Sequence, residues 1–285
     1  PPAPVFTSRR GALPPPAAAP DAAATSAGPP PMSLPARLRT AARYAGGLTL
    51  FAGRALRVMV TPPFELRLGL LQMERLGLGS FGVASITTLF TGMVLALQTA
   101  YSLPGLGIKY YIGTVVAKSL TRELGPVLVA LIVGGRVGAG IAAELGSMQV
   151  TEQVDALRSL ATDPVRKLVT PRLAACLLML PVLTLYGDLL GIFGGLLIAV
   201  GQLDLTAAFY LNDVTSSLLI GDVASGLGKA FVFAFFIATV ACYNGLTVRG
   251  GADGVGRATT ATVVTTAVLV LISDFFLTKL FYLLG

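Results

Sequence analysis

Apolar and polar positions fall into blocks along the chain, and the blocks set the architecture. Residues 81–103, FGVASITTLFTGMVLALQTAYSL, carry no charge over 23 positions. At 1.5 Å per residue, a helix of that length crosses the roughly 30 Å hydrocarbon core of a bilayer. Four more apolar blocks predict spans over about 111–142, 171–202, 224–248 and 258–284. Pro104, Gly105 and Gly107 predict a turn after the first span. Pro181, Gly187-Asp188, Gly191, Gly194 and Gly195 predict a tilted or kinked third span.

The stretches between blocks differ in kind. Over residues 36–79, seven arginines (Arg37, Arg39, Arg43, Arg54, Arg57, Arg67, Arg75) stand among Leu, Phe and Val. This pattern predicts basic amphipathic helices in the membrane interface, divided by Pro62-Pro63. Residues 143–170 are polar, yet Val150, Val154, Leu157 and Ala161 recur at helical spacing. They predict a short amphipathic helix at about 147–161. Either Asp163-Pro164 or Thr170-Pro171 can open the next helix, with Pro at its first position. Asp204, Asp213 and Asp222 mark an acidic loop before the fourth span, and RGGADGVGR (249–257) a short one before the fifth. Residues 1–35 hold 11 of the 18 prolines and predict a disordered tail. Prolines interrupt every apolar run there, so a signal peptide is not predicted. The expected division is a tail over 1–35, interfacial helices over 36–79 and an all-α five-span domain over 80–285.

Composition sharpens this. Only 12% of residues are charged against 54% hydrophobic, where a soluble domain carries about 25% charged residues. Too little polar surface remains to clothe a water-soluble globule. Histidine is absent, which excludes a Ser-His-Asp triad, a His-ligated metal or haem and a His proton relay. Cys176 and Cys242 both lie in apolar blocks and read as small core residues, not as a disulfide framework or metal site. The net charge of +7 reads as a topology signal facing anionic lipid, not as nucleic-acid binding. Nine arginines precede the first span, four Lys/Arg occupy 143–172 and two occupy 249–257, whereas the other side offers Lys109 and the acidic stretch. The positive-inside bias places the N-terminus in the cytoplasm and the C-terminus outside.

Charges inside spans are the candidate chemistry, because each costs roughly 2.5–3.5 kcal/mol at a helix centre on the insertion scale. The second block holds Lys118, Arg122, Glu123 and Arg136. Arg122 and Arg136 are 14 residues apart, within roughly 40° of one helix face. Asp188, Lys229 and Asp274 lie on three other spans. A bundle can gather Arg122, Glu123, Lys229 and Asp274 into a partly neutralised cluster, either as ion pairs holding helices in register or as a substrate site. Two Gly-Asp steps, 187–188 and 221–222, suggest an intramembrane aspartyl protease, but Leu185 and Leu219 stand where GxGD needs glycine. Gly228-Lys229 fails as a phosphate loop, because Val223 and Ala230 occupy the required Gly and Ser/Thr positions. Any ATPase is then a separate chain. GGRVGAGIAAELG (134–146) predicts close helix packing or a hinge.

These residues resemble the MlaE/YrbE family of ABC-transporter permeases of the Mla and Mce lipid-transport systems. The resemblance runs over about 48–285. It is carried by TGMVLALQ (91–98), the run from Thr121 to Pro164, TPR (170–172), GLGKA (226–230), RATT (257–260) and SDFFLTKLF (273–281). It implies a homodimer of the exporter type with an interfacial helix and five spans per subunit. Implied partners are a cytoplasmic ABC ATPase that binds ATP and Mg, a periplasmic MCE-domain protein, a STAS-domain protein, and phospholipid as cargo; nucleic acid is not among them. Glu152, Gln153, Asp155, Ala156 and Leu157 match a coupling helix that docks on the ATPase. Arg122, Glu123, Lys229 and Asp274, with the acidic Asp222, match polar positions near the lipid pathway. The implied function is phospholipid movement between a bacterial inner membrane and a periplasmic carrier, maintaining outer-membrane asymmetry. No catalytic or metal residue and no cofactor is expected in this chain. The rival reading is an ion-coupled secondary transporter or channel titrating Asp188, Asp222 or Asp274.

Overall fold

The computed structural model describes residues 34–62, 65–102 and 108–284. The predicted tail, up to residue 33, and the predicted turn at 104–107 lie outside them. Residues up to Ala45 and residues from Gly46 form two separate compact units. The first, where described, is helical from Leu34.

All regular structure among the described residues is helical: α1 (Leu34–Val60), α2 (Leu66–Ser102), α3 (Ile112–Ser119), α4 (Gly125–Val133), α5 (Ala139–Val150), α6 (Gln153–Ser159), α7 (Thr170–Gly201), α8 (Ala207–Ser217), α9 (Ile220–Leu246) and α10 (Gly251–Leu284). Two π turns, Leu120–Leu124 and Gly134–Gly138, join α3, α4 and α5 into one rod. A third π turn, Val165–Val169, leads into α7. Five stretches are long and apolar enough to cross a membrane: Arg67–Ser102, Ile112–Val150, Val165–Gly201, Ile220–Leu246 and Gly251–Leu283. The five expected spans are therefore present in an all-helical integral membrane protein.

Their boundaries depart from the sequence pattern in four places. First, α2 runs unbroken through residues 79–81, where an interfacial helix was expected to give way to a span. Leu76 and Ser80 are buried there, and Gly77 lies against Met179 of α7. Packing thus carries the helix past the end of the apolar block. Second, the stretch 147–161 is not one helix. The second span continues to Val150, Glu152 turns the chain in the left-handed region (φ 59°), and α6 follows over seven residues. Ala161 (φ 55°) closes α6: its N–H bonds the Arg158 carbonyl, and the Thr162 N–H bonds the Leu157 carbonyl. That is a Schellman closure with alanine in the place glycine usually takes. Third, the third span starts at Val165, ahead of the expected 171, because Asp163-Pro164, one of the two predicted openings, starts the helix, with Asp163 Oδ1 accepting from the Val165 N–H at 3.0 Å. Fourth, the acidic stretch before the fourth span contains α8. Thr206 Oγ1 caps it by accepting from the Phe209 N–H at 3.3 Å, and Tyr210 and Val214, one turn apart, are buried beneath it.

Glycine sets how closely the spans approach. A Cβ on Gly92 would fall 1.8 Å from the Gly191 carbonyl oxygen, and one on Gly194 2.2 Å from that of Leu89. The backbones of α2 and α7 therefore touch. A Cβ on Gly226 of α9 would lie 2.1 Å from the Thr121 carbonyl oxygen in the first π turn. Such small-residue contacts substitute for the hydrophobic drive that lipid removes. Within 134–146 the contacts are looser. Gly134 and Gly138 meet neighbours at 3.3 and 3.5 Å, while Gly135 and Gly140 face open space. Pro181 sits inside α7, where it withholds a donor from the helix ladder. Cys176 and Cys242 are free and buried.

Candidate functional site

Three spans meet at Lys229. Its side chain is 1% exposed, and burial at that depth demands partners for all three ammonium protons. Lys229 Nζ lies 2.6 Å from Glu123 Oε2 of the first π turn and 3.0 Å from Asp274 Oδ1 of α10. It also donates to Thr278 Oγ1 at 2.7 Å. Thr278 in turn lies 3.2 Å from each Glu123 oxygen. The expected meeting of Glu123, Lys229 and Asp274 is thus realised, with Thr278 as a fourth member.

Arg122 joins a different partner. Its Nε lies 2.8 Å from Asp222 Oδ1, with the arginine side chain 52% exposed and the aspartate 4%. Asp222 Oδ2 accepts from the Leu219 N–H at 3.0 Å, across the first turn of α9. The carboxylate therefore sits at the positive end of that helix dipole as well as beside a cation. Adjacent residues of one π turn thus engage two sets of partners. Together they line a cavity of about 280 Å³ with Lys118, Ser119, Ser225, Phe281 and Tyr282. Lys118 and Arg122 bring positive charge to its wall, and the two aromatic residues bring an apolar face.

The five predicted coupling residues divide by face. Val154 is buried and Leu157 half-buried against the bundle, whereas Glu152, Gln153, Asp155 and Ala156 are exposed. Gln153 Nε2 donates to Thr151 Oγ1 at 3.0 Å, and Asp155 pairs with Arg158 at 2.6 Å on the exposed face. Leu157 is thus an anchor of the helix, and the other four form its outward surface.

Three features were not singled out from the sequence. Arg172, 5% exposed, bonds Glu144 at 2.9 Å and the Leu168 carbonyl at 2.7 Å, clasping α7 to α5. Its only signal was an arginine inside an apolar block. Glu65 and Lys167 pair at 2.7 Å and Arg54 and Asp163 at 3.1 Å, tying the chain before the first span to the start of the third. Asp213 accepts from the Thr114 N–H (2.8 Å) and hydroxyl (2.6 Å), binding α8 to the start of α3. Tyr210, on the same helix, donates to the Ile192 carbonyl at 3.1 Å. Burial, and secondarily the Asp213 carboxylate, push its phenol above its ordinary pKa, so it stays a donor.

Asp188 is buried against the backbone of Gly125, and its Oδ1 has no hydrogen-bond partner among the described residues. Asp222 is engaged by Arg122 and the Leu219 N–H. No hydrogen bond joins the two carboxylates of the Gly-Asp steps, so they are not the proton-sharing pair an aspartyl protease requires. Among the described residues no group of three or more Cys, Asp or Glu could hold a metal ion.

The amino-acid sequence that builds these five spans has known relatives. The Permease MlaE family profile matches residues 70–280. A probable ABC transporter permease protein of Rickettsia conorii is 46% identical over 241 residues, covering 85% of this chain and 93% of the relative. A probable ABC transporter permease protein of Synechocystis is 46% identical over 211 residues, covering 74% and 80%. The chloroplastic protein trigalactosyldiacylglycerol 1 of Arabidopsis thaliana is 37% identical over 233 residues, covering 82% and 67%. The chain belongs to the MlaE permease family of ABC transporters and is a transport subunit, not an enzyme.

Proposed function

We propose that the chain is the lipid-translocating subunit of an ATP-driven transporter, moving phospholipid between a bacterial inner membrane and a periplasmic MCE-domain carrier and so maintaining outer-membrane asymmetry. It works as a homodimer, with the N-terminus and α6 on the cytoplasmic side and the C-terminus in the periplasm. A separate ABC ATPase supplies ATP and Mg, and a STAS-domain protein binds that ATPase. Glu152, Gln153, Asp155 and Ala156 are the surface on which the ATPase pushes, and Leu157 transmits the push to the bundle.

One observation carries this reading: a cavity among apolar spans that combines Lys118 and Arg122 with Phe281 and Tyr282. Cations suit a phosphate and the aromatic and aliphatic wall suits acyl chains. The name of the Arabidopsis relative, that of a glycolipid, supports a lipid cargo. The test is reconstitution of permease and ATPase in vesicles, with ATP-dependent transfer of fluorescent phospholipid to the MCE-domain protein. Transfer that stops in Lys229→Ala supports the reading; transfer that is indifferent to ATP overturns it.

Asp188 favours a second reading, an ion-coupled transporter or channel, because a buried carboxyl without a cation partner can carry a proton. Solute movement driven by a proton gradient in the absence of ATP, and lost in Asp188→Asn, decides for it.

A further inference from the structure

The second span winds into a π turn twice, and both turns carry charge. π turns inside α-helices gather at functional sites. The first carries Arg122 and Glu123, both engaged by α9 or α10. The second, Gly134–Gly138, carries Arg136. Its depth follows from its neighbours: Gly134 and Gly138 pack on Ile237 of α9. Ile237 lies four residues past Phe233, the midpoint of the shortest span, Ile220–Leu246. At 1.5 Å per residue Arg136 is about 6 Å from the middle of that span.

An arginine at this depth faces a bundle interior, a partner or a water-filled path, not lipid tails. Yet Arg136 is exposed on the subunit surface. Arg136 Nη1 donates to the Gly79 carbonyl oxygen of α2. A Cβ on Gly79 would come 3.3 Å from Nη2, so glycine leaves room for the guanidinium to lie across α2. That bond takes one of five N–H donors. No carboxylate stands within ion-pair distance among the described residues. One turn on, Gly140 shares the face of Arg136 and offers no side chain, Gly135 flanks it about a quarter turn away, and a Cβ on either would meet nothing within 4 Å. The result is a guanidinium with unspent donors on a bare patch of helix near mid-membrane.

We propose that Arg136 is a second phosphate-binding site for the lipid headgroup, inward of the Arg122 and Lys229 cavity. The proposal rests on the lipid-permease reading above. Glu123 and Arg136 are 13 residues apart, about 20 Å along the rod, and α4 between them, GPVLVALIV, has no polar side chain. A headgroup therefore meets two cationic stations separated by an apolar step. Guanidinium offers a phosphodiester two parallel N–H donors, which an ammonium cannot. The ligand is the phosphate common to glycerophospholipids, so a phosphate-free diacylglycerol is not held there.

The test uses the permease–ATPase complex in vesicles of phosphatidylethanolamine and phosphatidylglycerol, with a photocrosslinking residue at position 140 or, separately, at 225. Labelling at 140 by radiolabelled phospholipid is expected to exceed labelling by diacylglycerol about tenfold. Arg136→Gln lowers it about as much while labelling at 225 stays within about twofold, and Arg136→Lys keeps an intermediate level. Gln removes the charge but keeps an amide donor, and Lys keeps the charge but loses the planar fork, so charge is separated from geometry. The comparison of the two lipids in the wild-type background needs no charge variant to fold. Equal labelling by diacylglycerol, or undiminished labelling in Arg136→Gln, overturns the proposal. So does a position-140 crosslink that joins only two permease copies, which makes Arg136 an interface residue. Lipid label at neither position overturns the lipid-permease reading instead.

Discussion

Lys229 and Arg172 are both buried cations in the same bundle, and they are held in opposite ways. Lys229 lies among two carboxylates and a hydroxyl drawn from two other spans. Arg172 has one carboxylate, Glu144, which is itself 46% exposed, and the carbonyl one turn behind it in its own helical run. Lys229 lines a cavity with Lys118, Arg122 and Glu123, whereas Arg172 lines neither that cavity nor the apolar one beside Thr170 and Pro171. The contrast shows that burial of a charge does not by itself mark a transport site. The informative features are a network of more than one opposite charge and an adjoining space for a ligand.

The largest effect is expected from removing the centre of the network. Lys229→Met leaves two carboxylates facing one another without a cation; Glu123 can partly rehydrate but Asp274 is only 21% exposed, and the loss approaches the ~3–5 kcal/mol of a broken buried pair. Thermal unfolding in detergent should show a large fall in midpoint, with ATP-driven lipid transfer abolished. The triple variant Lys229→Met, Glu123→Gln, Asp274→Asn removes every charge and should recover most of the stability but not the transport. Recovery of both would reduce the cluster to a set of helix clips.

Arg172→Met is expected to cost less, about 1–3 kcal/mol, because Glu144 can rehydrate where it stands. Protein that survives should transport lipid at a near-normal rate at low temperature. A transport defect larger than the loss of folded material would erase the distinction between the two cations. Gly226→Ala should fall in a similar range, since a Cβ 2.1 Å from the Thr121 carbonyl forces α9 away from the first π turn. Overpacking of this kind costs about 1–3 kcal/mol. The loss should extend to the Lys229 contacts, read as weaker transport than the drop in stability alone explains.

How much of this could be read beforehand varies with the physical signal. The five spans were legible because apolar length is a direct consequence of bilayer thickness, and the meeting of Glu123, Lys229 and Asp274 because unpaired charge is intolerable inside it. The continuous α2 was not legible: the apolar block ends near Phe81, while contact of Leu76, Gly77 and Ser80 with the rest of the bundle decides where the helix continues. The break at Glu152 was hidden because Val150, Val154 and Leu157 keep helical spacing on both sides of a left-handed residue that is not glycine. The π turns leave no mark in hydropathy, so the separate destinations of Arg122 and Glu123 could not be anticipated from their sequence adjacency. Helix α8 showed only a Thr cap and the Tyr210–Val214 pair, a weak signal beside three aspartates.

The smallest effect on stability should come from Arg122, and it tests the comparison most finely. Its side chain is half exposed, and exposed ion pairs contribute about 0–1 kcal/mol. Asp222 loses a cation in Arg122→Gln but keeps the Leu219 N–H and the dipole of α9, so it is not left bare. Unfolding of the variant should stay close to wild type. Transport should nevertheless fall about tenfold or more if this guanidinium meets the headgroup, because the phosphate loses a charge-assisted donor worth about 1.5–3 kcal/mol. Arg122→Lys should restore part of the rate, and diacylglycerol, which has no phosphate, should not distinguish the variants. A parallel loss of stability and transport would place Arg122 with Arg172 as a fastening between helices. A loss of transport alone places it with Lys229, at the site.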